Sequence, residues 1–101
     1  MNIYLFCASG VSTGVLVHNM NKFKNEQDTI LAFEFQELST VIENADVVLI
    51  APQLKFRIPV VKKICIQYKK EYALLDWNIY ASMDGEAAYK IAEKLYQQKE
   101  V

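Results

Sequence analysis

The chain has little of what interrupts folded structure, with three glycines and two prolines in 101 residues. That scarcity excludes collagen-like repeats, low-complexity segments and a long disordered tail. It lacks a dominant charge: eleven basic residues face twelve acidic ones, for a net charge of −1. A generally basic nucleic-acid binder is thereby excluded. It also lacks an apolar run approaching the ~20 residues needed to span a bilayer; the best, Ala45 to Pro52, is strand-sized. No basic region precedes an apolar one at the N-terminus and no small-residue cleavage site follows, so no signal peptide is visible and a cytoplasmic protein is expected. Two cysteines, Cys7 and Cys65, with no C-x-x-C pair and one histidine, His18, make neither a disulfide framework nor a zinc set. Reduced thiols are expected. What is abundant is apolar, 52% of the residues. A single domain over 1–101 is expected, burying roughly two-thirds of its unfolded surface.

The balanced charge is unevenly placed. Six acids and no base lie between Glu26 and Asp46, and six bases and no acid between Lys55 and Lys70. This polarity either orients a partner or marks two solvated faces.

Apolar periodicity sets out alternating strands and helices. Ile3–Phe6 is apolar on both faces, as a strand buried in a parallel sheet is. Leu16, Val17, Met20 and Phe23 recur at helical spacing and predict a helix from about Ser12 to Asn25, with Ser12 or Thr13 as its N-cap. Leu31, Phe33 and Phe35 mark one face of a second strand, and a short helix from Leu38 to Asn44, started by Ser39 or Thr40, follows. Asp46–Ala51 is a third strand ended by Pro52. Leu54, Ile58, Val61, Cys65 and Tyr68 form the stripe of a helix whose regular part begins near Ile58, because Pro59 is tolerated in a first turn. Tyr72–Leu75 is a fourth strand, and Asp84 caps a last helix to Lys99 that turns Ala88, Ile91, Ala92 and Leu95 inward. The order β-α-β-α-β-α-β-α implies a parallel sheet with right-handed crossovers. The expected fold is a three-layer α/β/α arrangement, Rossmann-like or flavodoxin-like, with strand order 2-1-3-4. Ligands of such sheets sit beyond the carboxyl ends of the strands.

The loop after the first strand begins with Cys7 and continues Ala8, Ser9, Gly10, Val11, Ser12, Thr13, Gly14. A thiol facing the N-terminus of the next helix meets unpaired amides and the positive end of a dipole, which favour the thiolate. The same amides suit a phosphoryl group. Gly10 lets the backbone curl around it, and Ser9, Ser12 and Thr13 add hydroxyl donors. A nucleophile and an anion cradle in one loop point to phosphoryl transfer through phosphocysteine. A cysteine phosphatase would need an Arg six positions after the thiol, and that position is Thr13. A flavodoxin-like FMN-binding module is the alternative from another class, since residues 9–14 also suit an FMN phosphate.

The stretch Ile3-Tyr4-Leu5-Phe6-Cys7-x-x-Gly10-x-Ser12-Thr13-x-x-Leu16-Val17-x-x-Met20 resembles the start of an enzyme IIB component of the bacterial sugar phosphotransferase system, lactose/cellobiose type. The likeness continues at Asn44–Gln53 and at Tyr80 and Met83-Asp84-Gly85, with Gly14 where a hydroxyl residue is often found and Asn19 where a basic one is common. The resemblance implies a protein-phosphohistidine–sugar phosphotransferase. Cys7 would take a phosphoryl group from phosphohistidine of a IIA protein and pass it to a sugar held by the membrane transporter IIC. The sugar would be a β-linked disaccharide such as cellobiose, chitobiose or lactose. It also implies a monomer recruited to the inner membrane face through IIC, with no cofactor, metal or nucleic acid.

Cys65 falls on an inward stripe and reads as core. His18 lies more than a turn beyond the loop and reads as a surface residue. Trp77 and Tyr80 follow the fourth strand and either wall the site or pack. Pro52 and Gln53 lie at the same sheet end, and Lys55 and Arg57 beside them are the basic residues placed to dock a partner.

Overall fold

The computed structural model describes residues 1–8 and 10–99, with the backbone alone for 10–12 and 99. The chain runs β1 (Asn2–Cys7), α1 (Gly10–Met20), β2 (Thr29–Glu34), α2 (Leu38–Val41), β3 (Val47–Ile50), α3 (Ile58–Tyr68), β4 (Glu71–Leu74), α4 (Trp77–Ala81) and α5 (Gly85–Lys99). Turns of 3₁₀ helix at Phe35–Glu37, Ile42–Asn44 and Pro52–Arg57 complete the connections. The strands form one parallel sheet in the expected order β2-β1-β3-β4.

Strand side chains alternate between faces, so the two central strands serve two cores. Ile3, Leu5, Cys7, Val47 and Leu49 pack with Leu16 and Met20 of α1 and Ala88 and Ala92 of α5. Tyr4, Phe6, Val48 and Ile50 pack with Leu38, Ile42, Leu54, Val61 and Cys65. On β2, Leu31 shares the Phe33 face yet is exposed, because β2 is an edge strand with nothing beyond it.

Four local expectations differ from what the fold adopts. Helix α1 begins at Gly10, so Thr13 is inside its first turn and does not cap it; the Ser12 side chain lies outside the described residues. It ends at Met20, leaving Phe23 exposed. Beyond Met20 the chain tightens into i→i−3 bonds, with the Lys22 N–H donating to the Asn19 carbonyl at 3.2 Å and the Phe23 N–H to the Met20 carbonyl at 3.0 Å. The segment after β2 is started by the Glu37 carboxylate, which accepts the Glu34 N–H at 2.9 Å. Ser39 and Thr40 are exposed within that segment and do not start it. Helix α4, which periodicity missed, is one turn and a half long, too short for a stripe. The cap of α5 is as expected, with Asp84 Oδ1 accepting the Ala87 N–H at 3.0 Å.

Several contacts fix α1 and its strand. A Cβ at Gly85 would lie 2.3 Å from the Asn19 carbonyl carbon and 2.5 Å from the Met20 nitrogen, so α5 crosses α1 there backbone to backbone. The Asn19 amide donates to the Met83 carbonyl at 2.9 Å, holding the turn in which Met83 adopts φ 52°. Asp28, buried behind β1, accepts the Met1 amino group at 2.9 Å and the Tyr89 hydroxyl. Burial alone would push its carboxyl up; the Tyr89 hydroxyl and the Met1 charge outweigh that and hold it below the ordinary aspartate value.

Two outcomes follow from these contacts. Gly85→Ala forces backbone apart and should cost about 3 kcal/mol, read as a lower urea midpoint. Asp28 has a depressed folded-state pKa, so its stabilisation is complete above the ordinary aspartate value. It is lost as pH falls through the folded value. Asp28→Asn should cost about 3 kcal/mol near neutrality and flatten the acid limb of the stability–pH profile.

Candidate functional site

The chemistry-bearing loop lies where β1 gives way to α1. Cys7 is the last residue of β1 and only 2% exposed, with its Sγ 3.9 Å from the Phe33 carbonyl oxygen of the neighbouring strand. Ala8 is exposed beside it, and Ser9 lies outside the described residues. Helix α1 opens at Gly10 with no acidic residue in its first turn, so its positive end is not cancelled locally. Thr13 stands on the buried stripe that continues to Leu16 and Met20, on the face of the sheet that Cys7 occupies. Its hydroxyl is fully buried without a hydrogen-bond partner among the described residues. Gly14 is exposed on α1 with open space around the position of a Cβ, so packing there does not require glycine.

The carboxyl ends of the other strands converge on this rim. Pro52 is buried after β3, whereas Gln53, Lys55 and Arg57 are exposed. A surface cavity of about 400 Å³ is lined by Ala8, Phe35, Gln36, Leu54, Phe56 and Arg57. The Arg57 guanidinium lies 5.4 Å from the Phe35 ring centroid and 5.1 Å from that of Phe56. The fold thus brings Arg57 beside the cysteine loop, while the exposed Lys55 is not among the residues that line this cavity. Phe35, Gln36 and Phe56 are neighbours that the sequence reading missed. Phe35 reads as the end of a strand stripe, and its return to the β1 loop depends on the 3₁₀ turn after β2.

Remaining candidates resolve plainly. Cys65 is fully buried on α3, and burial, followed by the Glu71 charge, pushes its thiol up to about 11. It is a core residue, protonated at neutral pH. His18 is exposed in the last turn of α1. Tyr80 is buried in the core and Trp77 is 56% exposed at the start of α4. No group of three or more metal-ligating side chains converges among the described residues. None of the described helices is long and apolar enough to cross a membrane.

A cysteine-terminated β1–α1 junction on a 2-1-3-4 parallel sheet defines an open α/β protein with its candidate site at the carboxyl ends of the strands, and comparison with known proteins narrows it. Residues 2–91 match the family model of the lactose/cellobiose-specific IIB subunit of the phosphotransferase system. The chain is 33% identical over 96 residues to the oligo-β-mannoside-specific EIIB component of Bacillus subtilis, spanning 92% of this chain and 93% of that one. It superimposes with a TM-score of 0.83 on the solution structure of the cellobiose-specific phosphotransferase IIB component from Borrelia burgdorferi, at 33% identity, covering 98% and 94% of the two chains. The lactose-specific IIB domain of Streptococcus pneumoniae superimposes equally well, with a TM-score of 0.83 at 13% identity over 95% and 97%, a likeness of fold. The chain belongs to the lactose/cellobiose-type IIB family, whose members act in phosphoryl transfer coupled to sugar uptake. That membership sets aside the phosphatase and FMN-binding alternatives.

The burial of Cys65 makes a direct prediction. Cys65→Ala removes a packed side chain and should cost about 1–2 kcal/mol in denaturant unfolding while leaving phosphoryl acceptance unchanged. In the native wild type, alkylation at pH 8 should spare Cys65.

Proposed function

We propose that Cys7 is the phosphoryl acceptor of this IIB component. Its Sγ attacks the phosphorus of phosphohistidine on the IIA partner. The S–P bond forms as the N–P bond breaks, and the imidazole departs with the electron pair. In the second step a hydroxyl oxygen of the sugar bound by IIC attacks phosphorus, the S–P bond breaks, and Cys7 leaves as thiolate. The protein works in the cytoplasm and meets the membrane through IIC. The relatives are named for oligo-β-mannoside, cellobiose and lactose, which supports a β-linked oligosaccharide as the sugar.

One observation carries this reading: the thiol ends a central strand just before the N-terminus of an eleven-residue helix, with the Thr13 hydroxyl buried in the first turn and without a partner among the described residues. Both displacements gain mainly from positioning and from fixed donors on the phosphoryl oxygens. The cradle comprises the backbone of residues 8–14, with hydroxyl donors from Ser9, Ser12 and Thr13. The exposed Gln53, Lys55 and Arg57, in the segment that buried Pro52 opens after β3, form the surface on which partners dock, and its charges speed encounter at low ionic strength.

Incubation with phosphoenolpyruvate, the general phosphotransfer proteins and IIA, followed by intact mass, tests the assignment. The wild type should gain one phosphoryl group that maps to Cys7, and Cys7→Ser should gain none while keeping its fold, because a hydroxyl is a poor nucleophile at neutral pH. A full phosphoryl increment on Cys7→Ser, or one mapped to His18, contradicts it.

A further inference from the structure

The cysteine loop carries no cation of its own: position 13 is threonine, and His18 is exposed at the far end of α1. The fold supplies one from another connection. Arg57 ends the 3₁₀ segment after β3 and lines the same cavity as Ala8, the residue that follows Cys7. Its guanidinium lies over the rings of both Phe35 and Phe56, 5.4 and 5.1 Å from their centroids. Two aromatic faces restrict a side chain that would otherwise sweep freely, and they leave the edge of the guanidinium available. Among the described residues no carboxylate lies within ion-pair distance of it, and its N–H donors are uncommitted. An oriented arginine with an empty fork beside an anion-accepting loop suits a phosphate dianion.

The neighbouring charges are differently occupied. Lys70 donates to the Glu43 carbonyl at 3.0 Å, and Lys62 and Lys63 are exposed on the outward side of α3. On the β2 side, Glu34 accepts from the Gln36 amide at 2.8 Å, and Glu37 accepts the Glu34 N–H. These two acids oppose a dianion in the loop, which makes a cation on the β3 side the more consequential.

We propose that Arg57 contacts the phosphoryl group while it resides on Cys7, supplying across the rim the positive charge that phosphatase loops carry within themselves. This rests on Cys7 being the acceptor. Arg57 then does more than dock a partner: it stabilises the dianion and holds its oxygens against the amides, and a docked protein closing the rim strengthens both by excluding water.

The test is a ³¹P NMR titration of the phosphorylated full chain as wild type, Arg57→Met, Arg57→Lys and Lys63→Met. A guanidinium on the phosphoryl oxygens favours the dianion. Its loss in Arg57→Met should therefore raise the second ionisation of phosphocysteine by about one unit. Arg57→Lys should raise it less, and Lys63→Met should leave it at the wild-type value. An unchanged ionisation in Arg57→Met, even with slower uptake from IIA, assigns Arg57 to docking alone and overturns the proposal. An equal shift in Lys63→Met makes the effect a general field and overturns it too. If the wild type takes no phosphoryl group on Cys7, the acceptor reading itself fails, and that outcome is visible before any titration.

Discussion

The parallel pairing of β1 between β2 and β3 is the constraint on which everything else depends. All six residues of β1 have partners on β2, and Ile3 to Phe6 also pair with β3. The ladder extends past the strand ends, with the Ala51 N–H donating to the Phe6 carbonyl at 2.9 Å. A strand so held has no freedom to slip, since a one-residue shift would exchange its two cores. Cys7 therefore stands at a fixed height at the border of the core. The chain must leave the sheet there and enter α1, whose buried stripe of Thr13, Leu16 and Met20 leaves it one orientation. The close backbone approach of α5 at Gly85 fixes α1 against its neighbour on the same face of the sheet.

Against that rigid frame the polar groups divide into two kinds. Asp28 and Asn19 are buried or half-buried and have donors or acceptors within the fold. Thr13 does not: its buried hydroxyl has no hydrogen-bond partner among the described residues, at a cost of about 1–3 kcal/mol that an isosteric valine would avoid. Within the proposed relay, that hydroxyl and the α1 amides acquire acceptors only when phosphoryl oxygens arrive. Uncompensated groups of this kind belong at functional sites, where the empty state is not the state the site is built for. Arg57, which lies over two aromatic rings and has no ion-pair partner among the described residues, is a second instance on the same rim.

Sequence periodicity was enough for the sheet because β1 and β3 are apolar on both faces and bounded by small or turn-forming residues. The position of Cys7 at a strand end before the first helix was legible for the same reason. Helix limits were less legible. The stripe runs on through Phe23, but after Met20 the backbone turns off in i→i−3 bonds, a geometry that apolar spacing does not encode. The rim was least legible: Phe35, Gln36 and Arg57 are far from Cys7 in sequence, and only the crossover geometry brings them to Ala8. The absence of a loop arginine, read correctly at Thr13, does not mean the absence of an arginine near the loop.

The account turns on where the phosphoryl group goes next. The direct measurement is to isolate the phosphorylated protein and follow its decay alone and with unphosphorylated IIA. With threonine at position 13 and no general acid in the loop, in-line access to phosphorus comes only from a docked partner, so loss to water should be slow and back-transfer to IIA rapid. Loss to water as fast as to IIA, or rapid turnover of a simple phosphate ester, would mean a hydrolase and contradict the relay.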